Sequence, residues 1–554
     1  MNNLNVFVDS LIESSQQPFQ STGIVVNSAI LLVCTLLFVK AGFWRSTPSP
    51  ILLGKDDENG IVVVHPPHVR SYVPYLGSAI EMGKNIRKFI AKYGHQLRTP
   101  VFTATIAGDR CLFISDPDNV LMTHRYAKYL DDFSLQKQFV KNVLGVDPEA
   151  GVFTDTKPAI KQYHKYLFTH DELQKTVLNA QQVLSDLFAN LSPTKTTITT
   201  NTDKLGQQMH PIQSQQQHWI NFNLFSFVEE YVFKASVDSL ISKYVRSDEA
   251  MGNYRLFDEA IPLLFAGVPS FLTKKAMEAR ETLVTFLNDP KFVKLGSDLI
   301  VARHEELGMT ENNFSRSTLG LLFASVGNSI PAVFWALYHL LADAQVYEAA
   351  KAEVQSILDN RPQNIDSAAH GYFTLEELDR MVIIQSIFTE TLRLYAGAFT
   401  TREAVQDFVM DPKTNASATE TDDDDQKQQP PRKYLIEKGT RIMGFTATMH
   451  YDPEVFEDPE SFQYDRFLPG KVFTKNGKRI DEPVRPFGGG AHLCPGRKFI
   501  AYEIKAFLAM LVSKMEMRLV QGRRPQDAPQ IDFARQGVGV SHPDRDVAFE
   551  IRFR

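Results

Sequence analysis

Cysteine is scarce. The chain of 554 residues has three, Cys34, Cys111 and Cys494, too few and too scattered for a disulfide framework. That count fits a reducing compartment, or a fold on the cytosolic side of a membrane. No C-x-x-C pair and no H-E-x-x-H stretch occurs, so neither common zinc pattern is present. A basic excess is also missing. The 59 Lys and Arg stand against 65 Asp and Glu, a net charge of −6 that gives no sign of nucleic-acid binding. Tryptophan is limited to Trp44, Trp219 and Trp335. Apolar surface, in contrast, is ample: 43% of residues are hydrophobic and 22% charged, enough for a large buried core.

The longest early apolar run is Gly23 to Val39, resuming through Phe43 and Trp44. It approaches the ~20 residues that span a bilayer. Asp9 and Glu13 precede it in place of a basic segment, which argues against a cleaved signal peptide. Lys40, Arg45 and Lys55 follow it, so the positive-inside rule places the N-terminus in the lumen and the body in the cytosol. The expected organisation is 1–45 as luminal tail and single membrane anchor, then 46–76 as a stiff proline-rich linker. Residues 77–554 form one body, with polar insertions at about 192–218 and 413–432.

Within that body Ala79–Tyr93 predicts an amphipathic helix. Val101–Ile106 and Cys111–Ile114 around Gly108-Asp109 predict a hairpin, with Cys111 a strand core residue. Tyr434–Ile436 and Arg441–Phe445 around Lys438-Gly439 predict a second. Phe314–Ala342 is the strongest helical run, apolar nearly all round, and so crosses the core. Pro331 inside it has no N–H for the Gly327 carbonyl, which predicts a kink there. Gly327, Asn328 and Ser329 also disfavour a helix interior, a local conflict of the kind that marks function. Glu390 and Arg393 share a helical face at i,i+3, the spacing of an ordinary surface ion pair.

Near the C-terminus stands Arg-Pro-Phe-Gly-Gly-Gly-Ala-His-Leu-Cys-Pro-Gly-Arg, residues 485–497. Gly488 to Gly490 allow close backbone approach to something flat or bulky. Pro495 suits a first helical position, which puts Cys494 at a helix N-terminus. There the N–H groups of Gly496 and Arg497 and the helix dipole favour a thiolate. A thiolate so held is an axial ligand for haem iron. The same local chemistry reads equally as a buried free cysteine in a glycine loop.

The spacing Phe487, Gly490, Cys494, Gly496 resembles the haem-thiolate signature F-x-x-G-x-x-x-C-x-G of the cytochrome P-450 superfamily. Glu-x-x-Arg at 390–393, Tyr464-Asp465-Arg466-Phe467 and the tail Ala534 to Gly539 follow the family order. The resemblance implies an α+β, predominantly α-helical fold with small β-sheets and an N-terminal transmembrane helix. It implies heme b, its iron on Cys494, bordered by Phe487, Gly488, Gly490, His492 and Gly496, with His492 paired to a propionate. Glu390 and Arg393, joined by Arg466, then become a buried network holding the haem segment. The W-x-x-x-R contact of many members is missing. In most members the core helix carries an acid and an alcohol that deliver protons. Here Gly327 falls at the acid and Asn328 at the alcohol, a departure shared with the sterol 7α-hydroxylase and prostacyclin synthase branch. Proton delivery would then use water anchored on Asn328 and Ser329, because an amide cannot ionise.

The implied activity is O₂-dependent hydroxylation of a lipophilic steroid, sterol or terpenoid at the endoplasmic reticulum membrane. Electrons would come from NADPH through a cytochrome reductase, with cytochrome b5 as an optional donor. Isomerisation of a lipid peroxide or endoperoxide is the alternative. Phe133, Phe139 and Phe153 fall where the family covers its substrate, and read equally as core anchors. Lys471, Lys475, Lys478, Arg479, Arg485, Arg497 and Lys498 either dock an acidic electron donor or form a solvated loop surface.

Overall fold

A computed structural model describes residues 62–71, 73, 75–147, 157–191, 219–361, 371–412, 432–490, 493–520 and 528–554. The expected membrane anchor, residues 192–218 and 413–431, Phe153 and His492 lie outside them. Helices dominate, with small sheets set against them. The expected core helix is present in two pieces, Glu311–Val326 and Ser329–Ala342, parted at Gly327-Asn328. Its second half is buried from Ser329 to Leu337, between helices Leu224–Leu240 and Val382–Tyr395. The helix after the cysteine loop, Arg497–Lys514, packs on His170–Leu191, Ala344–Asp359 and Val382–Tyr395. Ile504 to Val512 in it are all buried, as an all-round apolar pattern requires.

The largest sheet runs in the order Val538–Val540, Ala396–Ala404, Arg441–Phe445, Asp109–Ile114, Val101–Ile106. The hairpin at Gly108 forms, its turn made by Ala107 and Gly108 at φ 50° and 90°. The expected second hairpin does not form. Arg432–Ile436 pairs with Val62–Val64 and Phe408–Met410, whereas Arg441–Phe445 enters the large sheet. Gly439 at φ 82° does turn the chain, but each strand meets other partners on either side. A turn signal fixes a change of direction, not the pairing that follows.

Two more expectations shift. The amphipathic helix at 79–93 is two helices, Ala79–Lys84 and Ile86–Leu97, because Asn85 turns extended and caps the second through Lys88 N–H. The linker ends earlier than residue 76. Val62–Val64 is already a sheet strand, and Pro67 and Val69 bond the backbone of Thr103. Asn476-Gly477, both at positive φ, closes a hairpin between Phe473–Lys475 and Lys478–Ile480. This hairpin was readable from its Asn-Gly turn, yet no strand was expected there.

Candidate active site

The cysteine loop is shaped by its glycines for two different reasons. Gly488 and Gly490 stand at φ 75° and 60°, where a side chain is strained. Gly489 makes room for a neighbour, since a Cβ there would lie 2.6 Å from His124 Cε1. The close approach is thus to an imidazole of the chain itself, a residue no sequence signal marked. Cys494 N–H donates to Phe487 O (2.9 Å) and closes the loop. The helix begins at Arg497 with Gly496 as its N-cap, so Pro495 lies just outside it, two positions before the expected one. Burial pushes the Cys494 thiol up, while the Gly496 and Arg497 N–H groups and the Arg497 charge pull it down. The net shift is upward, so the loop by itself does not favour the thiolate as the helix-end position suggested.

Behind the loop lies a buried network. Glu390 and Arg393, both 0% exposed, share two hydrogen bonds of 2.7 Å. Arg466 Nε donates to the same carboxylate at 3.1 Å, as does Gln463 N–H at 3.0 Å. Arg393 also holds the carbonyls of His450, Pro459 and Ser461. Fully buried and saturated by these bonds, Glu390 and Arg393 brace the segment that leads to the loop. His450 carries the brace onward. Its Nδ1 donates to Ala396 O (3.2 Å) and its Nε2 accepts from Arg485 N–H (3.0 Å), a pattern only the neutral ring can make.

Burial pushes His450 down to about 4. With the folded value below the unfolded 6.5, the unfolded chain takes up a proton that the native ring refuses. This share of stability is complete above pH 6.5 and is lost as pH falls towards 4. His450→Gln is therefore expected to flatten the fall in urea midpoint between about pH 7.5 and about pH 5. An unchanged slope would remove His450 as its source.

On the core helix the three polar-break residues have separate fates. Gly327 is buried, and its N–H is spent on Phe323 O (2.9 Å). Its carbonyl, freed by Pro331, lies near His542, which burial holds neutral. Ser329 turns its hydroxyl back onto Ser325 O within the helix. Asn328 Oδ1 accepts from Val540 N–H at 2.9 Å. Ala324, one turn earlier, is exposed although Leu322 and Val326 beside it are 0% exposed. A face of this core helix is therefore left uncovered by the protein. Phe139 stands beside it, its ring 6.1 Å from Phe323, whereas Phe133 is 38% exposed.

The proximal cations are fewer than the sequence suggested. Lys475 is enclosed by Asp452 (2.8 Å), Asp118 (3.0 Å) and Glu454 (3.4 Å), and so offers no charge to a partner. Lys471, Arg479 and Arg485 pair with Asp465, Asp481 and Glu482. Arg497 and Lys498 lie over the Phe168 ring. Arg402 on the large sheet donates to its neighbour's carbonyl, Thr401 O (2.7 Å), and to no carboxylate among the described residues.

The residues present fit a haem: a half-buried thiol beside the start of a helix, in a loop of glycines, and a core helix with an uncovered face. This is the architecture of a haem-thiolate protein. The chain belongs to the Cytochrome P450 family, whose model matches residues 66–413 and 427–542. It is a cytochrome P450 monooxygenase, carrying haem on a cysteine thiolate and drawing electrons from a redox partner. It is 29% identical to Cytochrome P450 7A1 of Sus scrofa, over 96% of this chain and 99% of that one. It is likewise 29% identical to 25-hydroxycholesterol 7-alpha-hydroxylase of Rattus norvegicus, over 60% and 80%. Identity to prostacyclin synthase of Bos taurus is 25%, over 88% and 94%.

Proposed function

We propose that this chain hydroxylates a sterol or a closely related lipophilic steroid or terpenoid. The likeness to a cholesterol 7-alpha-monooxygenase and a 25-hydroxycholesterol 7-alpha-hydroxylase carries this reading. Cys494 is our axial ligand. The other described cysteine, Cys111, sits in a strand core, with its thiol pushed up to about 12 by burial. Arg402 and His124, with His492, are our candidates for the haem carboxylates. When bound, the haem supplies reductive activation of dioxygen and insertion of one oxygen atom into a C–H bond.

The chain's own part is to position and to exclude. Of the Asn328 and Ser329 side chains, only that of Asn328 keeps a polar group without a protein partner among the described residues, its Nδ2. An amide cannot ionise, so Asn328 orients a substrate oxygen or a water and does not supply the proton. Residues 1–45 are our luminal tail and membrane anchor, with the body from Val62 onward on the cytosolic face of the endoplasmic reticulum. NADPH-cytochrome reductase, assisted by cytochrome b5, docks near Lys478, Arg497 and Lys498.

The test is reconstitution with reductase, NADPH and O₂ on cholesterol and 25-hydroxycholesterol. The expected result is a low-to-high-spin change on binding and one added hydroxyl in the product. Conversion of an endoperoxide without reductase or O₂, and no sterol product, would establish the isomerase instead.

A further inference from the structure

Asn328 is the N-cap of helix Ser329–Ala342, yet its side chain caps nothing. An N-cap asparagine ordinarily accepts from the N–H of the second or third helical residue. Here the third is Pro331, which has none. The side chain crosses instead to the chain's tail, where Val540 N–H donates to Oδ1 at 2.9 Å. The two groups can meet because the tail has glycine beside the contact. A Cβ on Gly539 would lie 2.8 Å from Asn328 Cγ and overlap Oδ1.

The tail strand Val538–Val540 is itself held on several sides. Arg535 pairs with Asp258 at 2.7 Å, and Gln536 Oε1 accepts from Ile86 N–H at 3.0 Å. Ser541 N–H donates to Tyr395 O, and Ser541 O accepts from Trp335 Nε1. The strand is thus a fixed template beside the helix break.

That template decides which end of the amide is presented. Val540 N–H needs an acceptor, so only the amide oxygen can face it; a flipped amide would set two donors against each other. The amino group must then take the other direction. Nδ2 makes no hydrogen bond among the described residues and is not among the sealed buried atoms. Asn328 is itself half-exposed and stands four residues after the exposed Ala324.

We propose that Gly539 and Val540 are positioning residues that orient Asn328 as a donor, so the site selects lipophilic substrates presenting a hydrogen-bond-accepting oxygen to this face. The proposal rests on the reading of that face as the substrate side of the haem. Its chemical consequence is specific. A ketone or an ether oxygen accepts from an amino group as well as an alcohol does. Facing a carboxylate, the alcohol can donate, whereas the ketone cannot.

The test uses haem-loaded full-length protein and a panel of cholestanes in pairs that differ only by ketone or hydroxyl at one ring carbon. Affinities are read from the spin-state change. Wild type is expected to bind the ketone of at least one pair no more weakly than its alcohol. In Asn328→Asp the remaining oxygen still accepts from Val540 N–H, and the ketone should weaken about tenfold relative to the alcohol. Gly539→Ala should also erase the wild-type ratio. Should Gly539→Ala fail to bind haem, Val540→Pro removes the one donor at an edge-strand position outside the ladder. Ratios unchanged in these variants overturn the proposal. If no cholestane binds, the substrate reading falls, and carbon monoxide on the reduced haem decides the amide. A C–O stretch moved to higher wavenumber in Asn328→Leu and Val540→Pro keeps the donor orientation; an unmoved band overturns it.

Discussion

Arg393→Lys is expected to yield little or no folded, haem-loaded protein. Arg393 spends each of its five N–H donors. Nε and one Nη2 hydrogen go to Glu390, the other Nη2 hydrogen to Ser461 O, and the Nη1 pair to His450 O and Pro459 O. Lysine offers three donors on a point charge and cannot reproduce a planar fork. Two or more buried acceptors are then left bare in a site with no exposure. Breaking a buried pair of this kind costs about 3–5 kcal/mol. That is a large share of the ~5–15 kcal/mol by which a domain of ordinary stability stays folded. The measurements are haem-to-protein ratio and thermal unfolding by circular dichroism. Wild-type values for both would show that the network is dispensable.

The second large effect is at the sulfur. Cys494→Ser should abolish the thiolate signature in the spectrum of the reduced carbon monoxide complex and reduce hydroxylation to background. A serine hydroxyl is far less acidic than a thiol and does not ionise there, so the ligand charge is lost while the loop geometry is kept. Cys111 cannot take over, being closed in its strand with a thiol near 12. Cys111→Ala, made in parallel, should keep both spectrum and turnover. Retention of the thiolate spectrum in Cys494→Ser would move the ligand elsewhere in the chain.

Much of the haem side was legible before folding because it is written in short-range chemistry. A proline without an N–H breaks a helix at Gly327 wherever that helix packs, and the break is there. Glu390 and Arg393 meet because a helix places them one turn apart. The errors fall where the outcome depends on distant partners. Lys475 looked like one cation among seven, and Asp118, 357 residues earlier, helps to bury it. The strands either side of Gly439 looked like a hairpin, and went to different sheets.

Asn328 shows the division most clearly. That an amide stands at the helix break, that it cannot ionise, and that Pro331 denies it one of its usual capping partners are all local properties of the chain. Which way that amide faces depends on the fold. The donor that orients it is Val540, 212 residues away, and the glycine that admits it is Gly539. A side chain's identity is local and covalent, whereas its orientation is set by whichever buried group must be satisfied, and folding chooses that neighbour.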